Sequence, residues 1–243
     1  MNIVIIVQAR MNSTRLPGKV LKKVHGKTLL EYQIDRLKHV RKAHKIVVAT
    51  TNNNADNKIV MLCKDLNIEC FRGDEHNVLS RYYNTAKAHH ADTVVRITSD
   101  CTIIDPAVID HVISHYIDKF PAYDYVSNSL TRTYPRGMDT EVFSFKALEK
   151  AFLHAKEQSE LEHVTPYIYK NPEIFKLSNV SCEQDNSYHR WTVDTPEDFT
   201  LISNILENVY PTKHNFTMQD VLAYLDTHED LFFINSHIEQ KNL

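Results

Sequence analysis

Arg10, Arg15 and Lys19 share the segment Gln8 to Lys19 with the hydroxyls of Ser13 and Thr14, followed by Pro17 and Gly18. Guanidinium, ammonium and hydroxyl donors gathered in this way suit a chain of phosphates, which loop backbone N–H groups can also bind. The segment follows the apolar run Ile3 to Val7. That order predicts a buried strand emptying into a basic, turn-rich loop at the carboxyl end of a sheet, with Gln8 and Ala9 at its mouth. Glycine is scarce, 4 in 243 residues, so Gly18 marks a tight turn that lets the three cations converge. A loop of merely solvated charges is the alternative, and the buried strand before it favours phosphate binding.

Acidic partners for such a site come from two other strand ends. Arg96-Ile97-Thr98-Ser99-Asp100 places Asp100 at the end of a second apolar run, on the same rim as the basic loop. A carboxylate beside a polyphosphate suits Mg²⁺, which takes one or two carboxylates plus phosphate oxygens; a structural salt bridge is the plainer reading. Asp194 follows Trp191-Thr192-Val193 and precedes Thr195-Pro196-Glu197-Asp198, so either metal binding or helix capping explains it. Arg72-Gly73-Asp74 ends a third strand and reads as a base contact or as an ordinary left-handed turn. Tyr134 to Glu141, with Arg136, Asp139 and Glu141, suits an acceptor carrying hydroxyls and an anionic group, or else a polar turn at a dimer interface. His163 in Glu162-His163-Val164-Thr165-Pro166 faces an acceptor or is a half-buried structural residue, and Arg190 pairs with an acceptor carboxylate or phosphate.

These residues need a scaffold of alternating strands and helices. Strands are expected at Ile3 to Val7, Lys45 to Ala49, Glu69 to Phe71, Thr93 to Ile97 and Tyr123 to Val126, with helical patterns between them. Thr28-Leu29-Leu30-Glu31 is a capping box for a helix running to about Val40, and Asp105-Pro106 supplies an N-cap and a first-turn proline. The alternation predicts a three-layer α/β domain with a mainly parallel sheet. Farther on, a short strand at Val142-Phe143 precedes helices over Phe145 to Ala155 and Glu160 to Lys170. Phe175 to Val180 and Tyr188 to Val193 read as strands of a hairpin-like lobe. Capped helices open at Thr195 and Thr217, and Leu231 to Ile234 returns along the surface.

Composition narrows the partners. A net charge of −3 argues against a general nucleic-acid or anionic-membrane binder, so the basic loop is a local device for a small anion. The first apolar run is too short to span a bilayer and lacks a basic region before it, so a cytoplasmic protein without membrane insertion is expected. The 4 cysteines show no Cys-x-x-Cys spacing and are expected to be reduced; among the 14 histidines no His-x-x-x-His pair supports a metal site, so zinc is not expected. No Gly/Ser/Pro-rich stretch interrupts the pattern, and residues 1–243 read as a single domain in which about 127–192 form an acceptor and dimerisation lobe.

Four blocks in order carry a resemblance: Gln8 to Lys19; Phe71-Arg72-Gly73-Asp74 with Val78-Leu79-Ser80-Arg81-Tyr82; Arg96 to Asp105; and Arg190 to Asp198. Together the chain resembles the cytidylyltransferase family of CMP-sugar synthetases, in the branch of the spore coat polysaccharide biosynthesis protein SpsF. The resemblance implies a Rossmann-like α/β fold of the nucleotide-diphosphosugar transferase type, with a mainly parallel mixed sheet and a projecting arm, often paired into a homodimer. It implies Arg10 and Lys19 on the β- and γ-phosphates of CTP, assisted by Ser13, with Arg15 on the phosphates or bracing the loop. It further implies Asp100 and Asp194 on Mg²⁺, Arg72 near the nucleoside, and a sugar acid or sugar phosphate as acceptor. Ser99 and Thr102 depart from the glycine and proline usual around the catalytic aspartate. A glycosyltransferase and a catalytically silent nucleotide-binding subunit remain the rivals; the first usually shows Asp-x-Asp after a strand, whereas here the next carboxylate after Asp100 is Asp105.

Overall fold

The computed structural model describes residues 1–240. Seven strands form one sheet: β1 (Ile3–Gln8), β4 (Lys45–Thr51), β5 (Glu69–Gly73), β6 (Thr93–Thr98), β7 (Tyr125–Ser127), β8 (Glu141–Ser144) and β9 (Leu177–Asn179). A small hairpin, β2 (Lys23–Val24) and β3 (Lys27–Thr28), lies apart from it. The sheet order is β5-β4-β1-β6-β8-β7-β9. Only the pairs β6–β8 and β7–β8 are antiparallel, so the sheet is mainly parallel. β1 is an interior strand between β4 and β6 with both faces covered, which is why Ile3 to Val7 is apolar without alternation.

Helices cover both faces. The side chains of Ile3, Ile5 and Val7 enter a core shared with α1 (Leu29–Leu37), α2 (Asn57–Asp65), α4 (Pro106–Asp118), α8 (Pro196–Asn208) and α9 (Met218–Asp226). Those of Val4 and Ile6 face α3 (Val78–Ala88), α5 (Phe145–His154), α6 (Gln158–His163) and α7 (Pro166–Tyr169). Side-chain alternation on a parallel strand thus builds two cores from one apolar run. Among the described residues no helix is long and apolar enough to cross a membrane.

The expected capping residues act as read. Thr28 and Glu31 close a capping box on α1, Asp105 caps α4, and Thr195 with Asp198 and Thr217 with Asp220 do the same for α8 and α9. Two expectations fail in the second half. The helix foreseen over Glu160 to Lys170 is two helices, broken at Val164, whose φ of 74° is left-handed. Pro166 lacks the N–H that a continuous helix needs, and it disfavours helical geometry in the residue before it. The foreseen hairpin of Phe175 to Val180 with Tyr188 to Val193 does not form. β9 instead pairs parallel with β7 at the sheet edge, and the second segment makes only an isolated bridge, Arg136 to Arg190.

That bridge is held by a close approach. Gly137 has a φ of 103°, and a Cβ there would lie 2.5 Å from the Trp191 carbonyl oxygen. Trp191 itself is wholly buried. Next to it, Asp198 is buried and receives the Arg190 fork at 2.9 and 3.0 Å, the Asp194 N–H at 2.9 Å and the Asn235 amide at 2.8 Å. Burial opposes charge on Asp198, but Arg190, Asn235 and the backbone N–H outweigh it and hold the carboxyl below its ordinary range.

Gly137→Ala is expected to lower the unfolding free energy by about 2–4 kcal/mol, read from urea denaturation, because both the left-handed backbone and the carbonyl contact resist a side chain. A folded-state pKa below the unfolded one gives stability that is present above about pH 3.9 and lost as pH falls through the lower folded value. Asp198→Asn is therefore expected to cost about 3 kcal/mol at neutral pH by removing the carboxylate that takes both arms of the buried Arg190 fork and leaving it only the longer contact to Asp194. It should also flatten the acid limb of a stability–pH curve; an acid limb as steep as that of the unaltered protein would contradict this account.

Candidate active site

Along the carboxyl ends of β1 and β6 runs a cleft of about 720 Å³. Its first wall is the loop after β1. Gly18, with φ of 68°, donates its N–H to the Met11 carbonyl at 2.8 Å, and the Ser13 N–H reaches the same oxygen at 2.9 Å. The buried Asp56 carboxylate fixes this loop from below, accepting the Met11 N–H at 2.7 Å while its other oxygen accepts the Thr51 N–H at 3.1 Å. Gln8, Ala9, Arg10, Ser13, Arg15 and Lys19 all line the cleft, whereas Gly18 shapes the loop behind it. Arg10 forms no ion pair among the described residues and points a free guanidinium at the cleft.

The acidic wall meets this loop directly. Lys19 Nζ donates to Asp194 Oδ1 and to the Val193 carbonyl, each at 2.8 Å, and stands 3.9 Å from Asp100 Oδ2. Arg15 lies 2.8 Å and Arg190 3.4 Å from Asp194 Oδ2. Burial works against ionisation of Asp100, yet the Lys19 ammonium and the hydroxyls of Thr98 and Thr192 overcome it and hold the carboxyl below its usual value. Ser99 lines the cleft and Thr102 is buried.

Among the described residues no three His, Cys, Asp or Glu side chains are preassembled as a metal cage. Two carboxylates already converging on one cation are nevertheless the donor set that Mg²⁺ uses when phosphate oxygens and water complete its shell. Asp100 and Asp194 therefore fit such an ion.

The second wall is built by β6, β7, β8 and the α6–α7 break. Arg96 and Glu141 are register partners across β6 and β8 and form an ion pair on the cleft floor. Glu141 Oε1 also accepts the hydroxyls of Tyr125 and Thr165, each at 2.6 Å. Arg132 pairs with Asp139. Arg136 lines the same wall without an ion pair among the described residues; burial, then the neighbouring Arg132, pulls its pKa below the ordinary arginine value. His163 lines the cleft just before the Val164 break, and burial keeps its imidazole pKa low, favouring the neutral ring.

Three expected contacts lie elsewhere. Arg72 turns away from the cleft, donating to the Thr51 and Asn53 carbonyls at 2.9 and 2.8 Å and to Asn57 at 2.7 Å, so it braces the turn before α2. Gly73 belongs to β5 with no left-handed φ; its missing side chain makes room for Arg81, whose Cγ would lie 3.1 Å from a Cβ there. Arg190 is spent on Asp198 and Asp194 and on Gln240 at 2.7 Å, so it supports the acidic wall from behind rather than reaching an acceptor. Conversely, Arg81, Arg96, Tyr125, Thr165 and Asp56 were not singled out as site residues. An arginine inside the apolar stretch Val94-Val95-Arg96-Ile97 was the readable signal for one of them.

The comparisons with known proteins agree with this geometry. Residues 4–243 match the family described as cytidylyltransferase. The chain is 39% identical over 248 residues to an uncharacterized protein of Methanocaldococcus jannaschii, covering 100% of this chain and 98% of the other. It is 30% identical over 213 residues to the spore coat polysaccharide biosynthesis protein SpsF of Bacillus subtilis, covering 85% and 87%. A solved cytidylyltransferase from Leptospira borgpetersenii superposes with a TM-score of 0.92 at 30% identity, covering 100% of both chains. With these likenesses, the chain belongs to the cytidylyltransferase family, and the basic loop facing Asp100 and Asp194 accords with it.

Proposed function

We propose that the protein transfers CMP from CTP to a hydroxyl of a sugar acid and releases pyrophosphate, in the making of a surface polysaccharide or glycan. The observation that carries this reading is the position of Lys19 between Asp100 and Asp194, with Arg15 on the same carboxylate and Arg10 free beside them. An anionic tail of three phosphates can draw those cations off Asp194, because charge-assisted bonds to phosphate replace the ones they give up. Relatives point the same way, through the family's name and the polysaccharide role in the name of SpsF.

In the reaction the acceptor oxygen attacks the α-phosphorus, the bond from that phosphorus to the bridging oxygen of the β-phosphate breaks, and the hydroxyl proton passes to water. Such a transfer asks the protein for alignment and charge neutralisation. Arg10, Lys19 and Arg15 take up charge that gathers on the departing pyrophosphate. Bound to Asp100 and Asp194, Mg²⁺ would supply charge neutralisation at the α-phosphoryl group. The acceptor wall supports a sugar acid over a sugar phosphate: Arg96 and Arg132 are already neutralised by Glu141 and Asp139, leaving Arg136 for one singly charged group. Glu141, Asp139 and the neutral His163 present acceptors for sugar hydroxyls.

Asp100→Asn is expected to cut Mg²⁺-dependent pyrophosphate release from CTP by about a hundredfold or more. Lys19→Met should weaken kcat/KM for CTP by a similar factor. Pyrophosphate release by Asp100→Asn at the original rate would rule out the metal role. Release of a nucleoside diphosphate from a nucleotide sugar, with none of pyrophosphate from CTP, would replace the reading with glycosyl transfer.

A further inference from the structure

Gln33 sits between Leu30 and Leu37 on the buried face of α1, is wholly out of solvent and does not line the cleft. Its Nε2 donates to the Thr98 carbonyl at 2.7 Å and to the Cys101 carbonyl at 3.0 Å. Its Oε1 is buried without a partner. Burying an unpaired amide oxygen is unfavourable, and an apolar side chain of the same length would avoid it, so what this residue contributes is its two donors.

The two carbonyls bracket Asp100. The Cys101 N–H returns to the Thr98 carbonyl at 3.2 Å, which makes Thr98 to Cys101 a tight turn with Asp100 in its third position. A second turn follows, closed by the Ile104 N–H on the Cys101 carbonyl at 3.3 Å. On either side the chain is anchored independently. Before the turns β6 pairs with β1; after them Arg36, one helical turn along α1, donates to the Ile104 carbonyl at 2.7 Å, and the Asp105 carboxylate accepts the Met218 N–H at 2.6 Å. Within the first turn the Asp100 carbonyl accepts the Val193 N–H at 3.0 Å, and Gln33 ties both ends to α1.

The geometry points to Gln33 as a positioning residue for Asp100: bracing both ends of the turn from behind, it fixes where the carboxylate meets Lys19 and a divalent ion. This rests on the nucleotidyl-transfer reading above. Mg²⁺ demands near-octahedral geometry, so a carboxylate set loose on its turn becomes a poorer ligand even though its charge is unchanged. Thr98 rides on the same brace, and its hydroxyl is one of the groups that keep Asp100 ionised.

Hydrogen exchange of the protein without ligand, and calorimetric titration of CTP with and without Mg²⁺, test the assignment in the unaltered protein, Gln33→Met and Ile34→Val. Each of the two carbonyls keeps a backbone donor in Gln33→Met, so that variant is expected to fold. Ile34 is also buried on α1, and shortening it loosens the core while leaving the brace in place. In Gln33→Met the segment from Ser99 to Ile104 should exchange about tenfold faster. The gain in CTP affinity conferred by Mg²⁺ should fall about fivefold or more, while affinity for magnesium-free CTP stays within about twofold. Ile34→Val should leave both the exchange and the gain within about twofold. Should Gln33→Met not fold, Gln33→Asn, whose amide falls one methylene short of the carbonyls, carries the same expectation. A magnesium gain unchanged within twofold overturns the proposal, whatever the exchange, as does unchanged exchange or an equal loss in Ile34→Val. If Mg²⁺ adds nothing to CTP binding by the unaltered protein, the metal role of Asp100 falls and the positioning role with it; no binding of CTP at all would remove the nucleotidyl-transfer reading itself.

Discussion

The contact between Lys19 and Asp194 joins residues 175 positions apart and decides the shape of everything around it. At 2.8 Å in a half-buried setting, two opposite charges attract far more strongly than in open water. The attraction closes the basic loop onto the extended segment that carries Asp194. Arg15 and Arg190 reinforce the same carboxylate from two further directions. Arg190 in turn is fixed by Asp198, which also caps α8. The loop, the acidic wall and the last third of the chain are therefore one electrostatic unit.

Charge is distributed differently on the two walls. Near the β1 loop, cations outnumber the carboxylates facing them, as a polyanion requires. Around Glu141 each cation but Arg136 is matched, and two hydroxyls are already spent on one carboxylate oxygen. Neutral ion pairs and fixed hydroxyls can orient sugar hydroxyl groups without attracting a second phosphate tail. One continuous cleft thus holds two environments suited to two different reactants.

Much of the scaffold was legible because its signals are local. β1, β4, β5, β6 and the caps at Thr28, Asp105, Thr195 and Thr217 follow from short apolar runs and side-chain capping, which depend on neighbours in sequence. Tyr188 to Val193 shows the limit: its residues favour a strand, but the Trp191 backbone is fixed by Gly137 and a single bridge to Arg136, contacts invisible along the chain. The same holds for the site. The rim shared by Lys19 and Asp100 could be inferred from strand ends, whereas spacing left Asp194 open between metal binding and helix capping. Which of Arg72 in β5 and Arg81 in α3 lines the cleft could not, because it depends on Asn53 and Asn57 capturing Arg72 and on Gly73 clearing space for Arg81.

The contact of Gly137 with the Trp191 carbonyl has a mechanical consequence. Arg136 and Asp139 flank that glycine on the acceptor side, and Asp194 stands three positions beyond the tryptophan. With backbone pressed on backbone and no side chain between them to absorb slack, a shift of the turn at Gly137 is transmitted to the segment that carries Asp194. The acceptor and nucleotide seats proposed above would thereby be geared together by a single rigid hinge-pin.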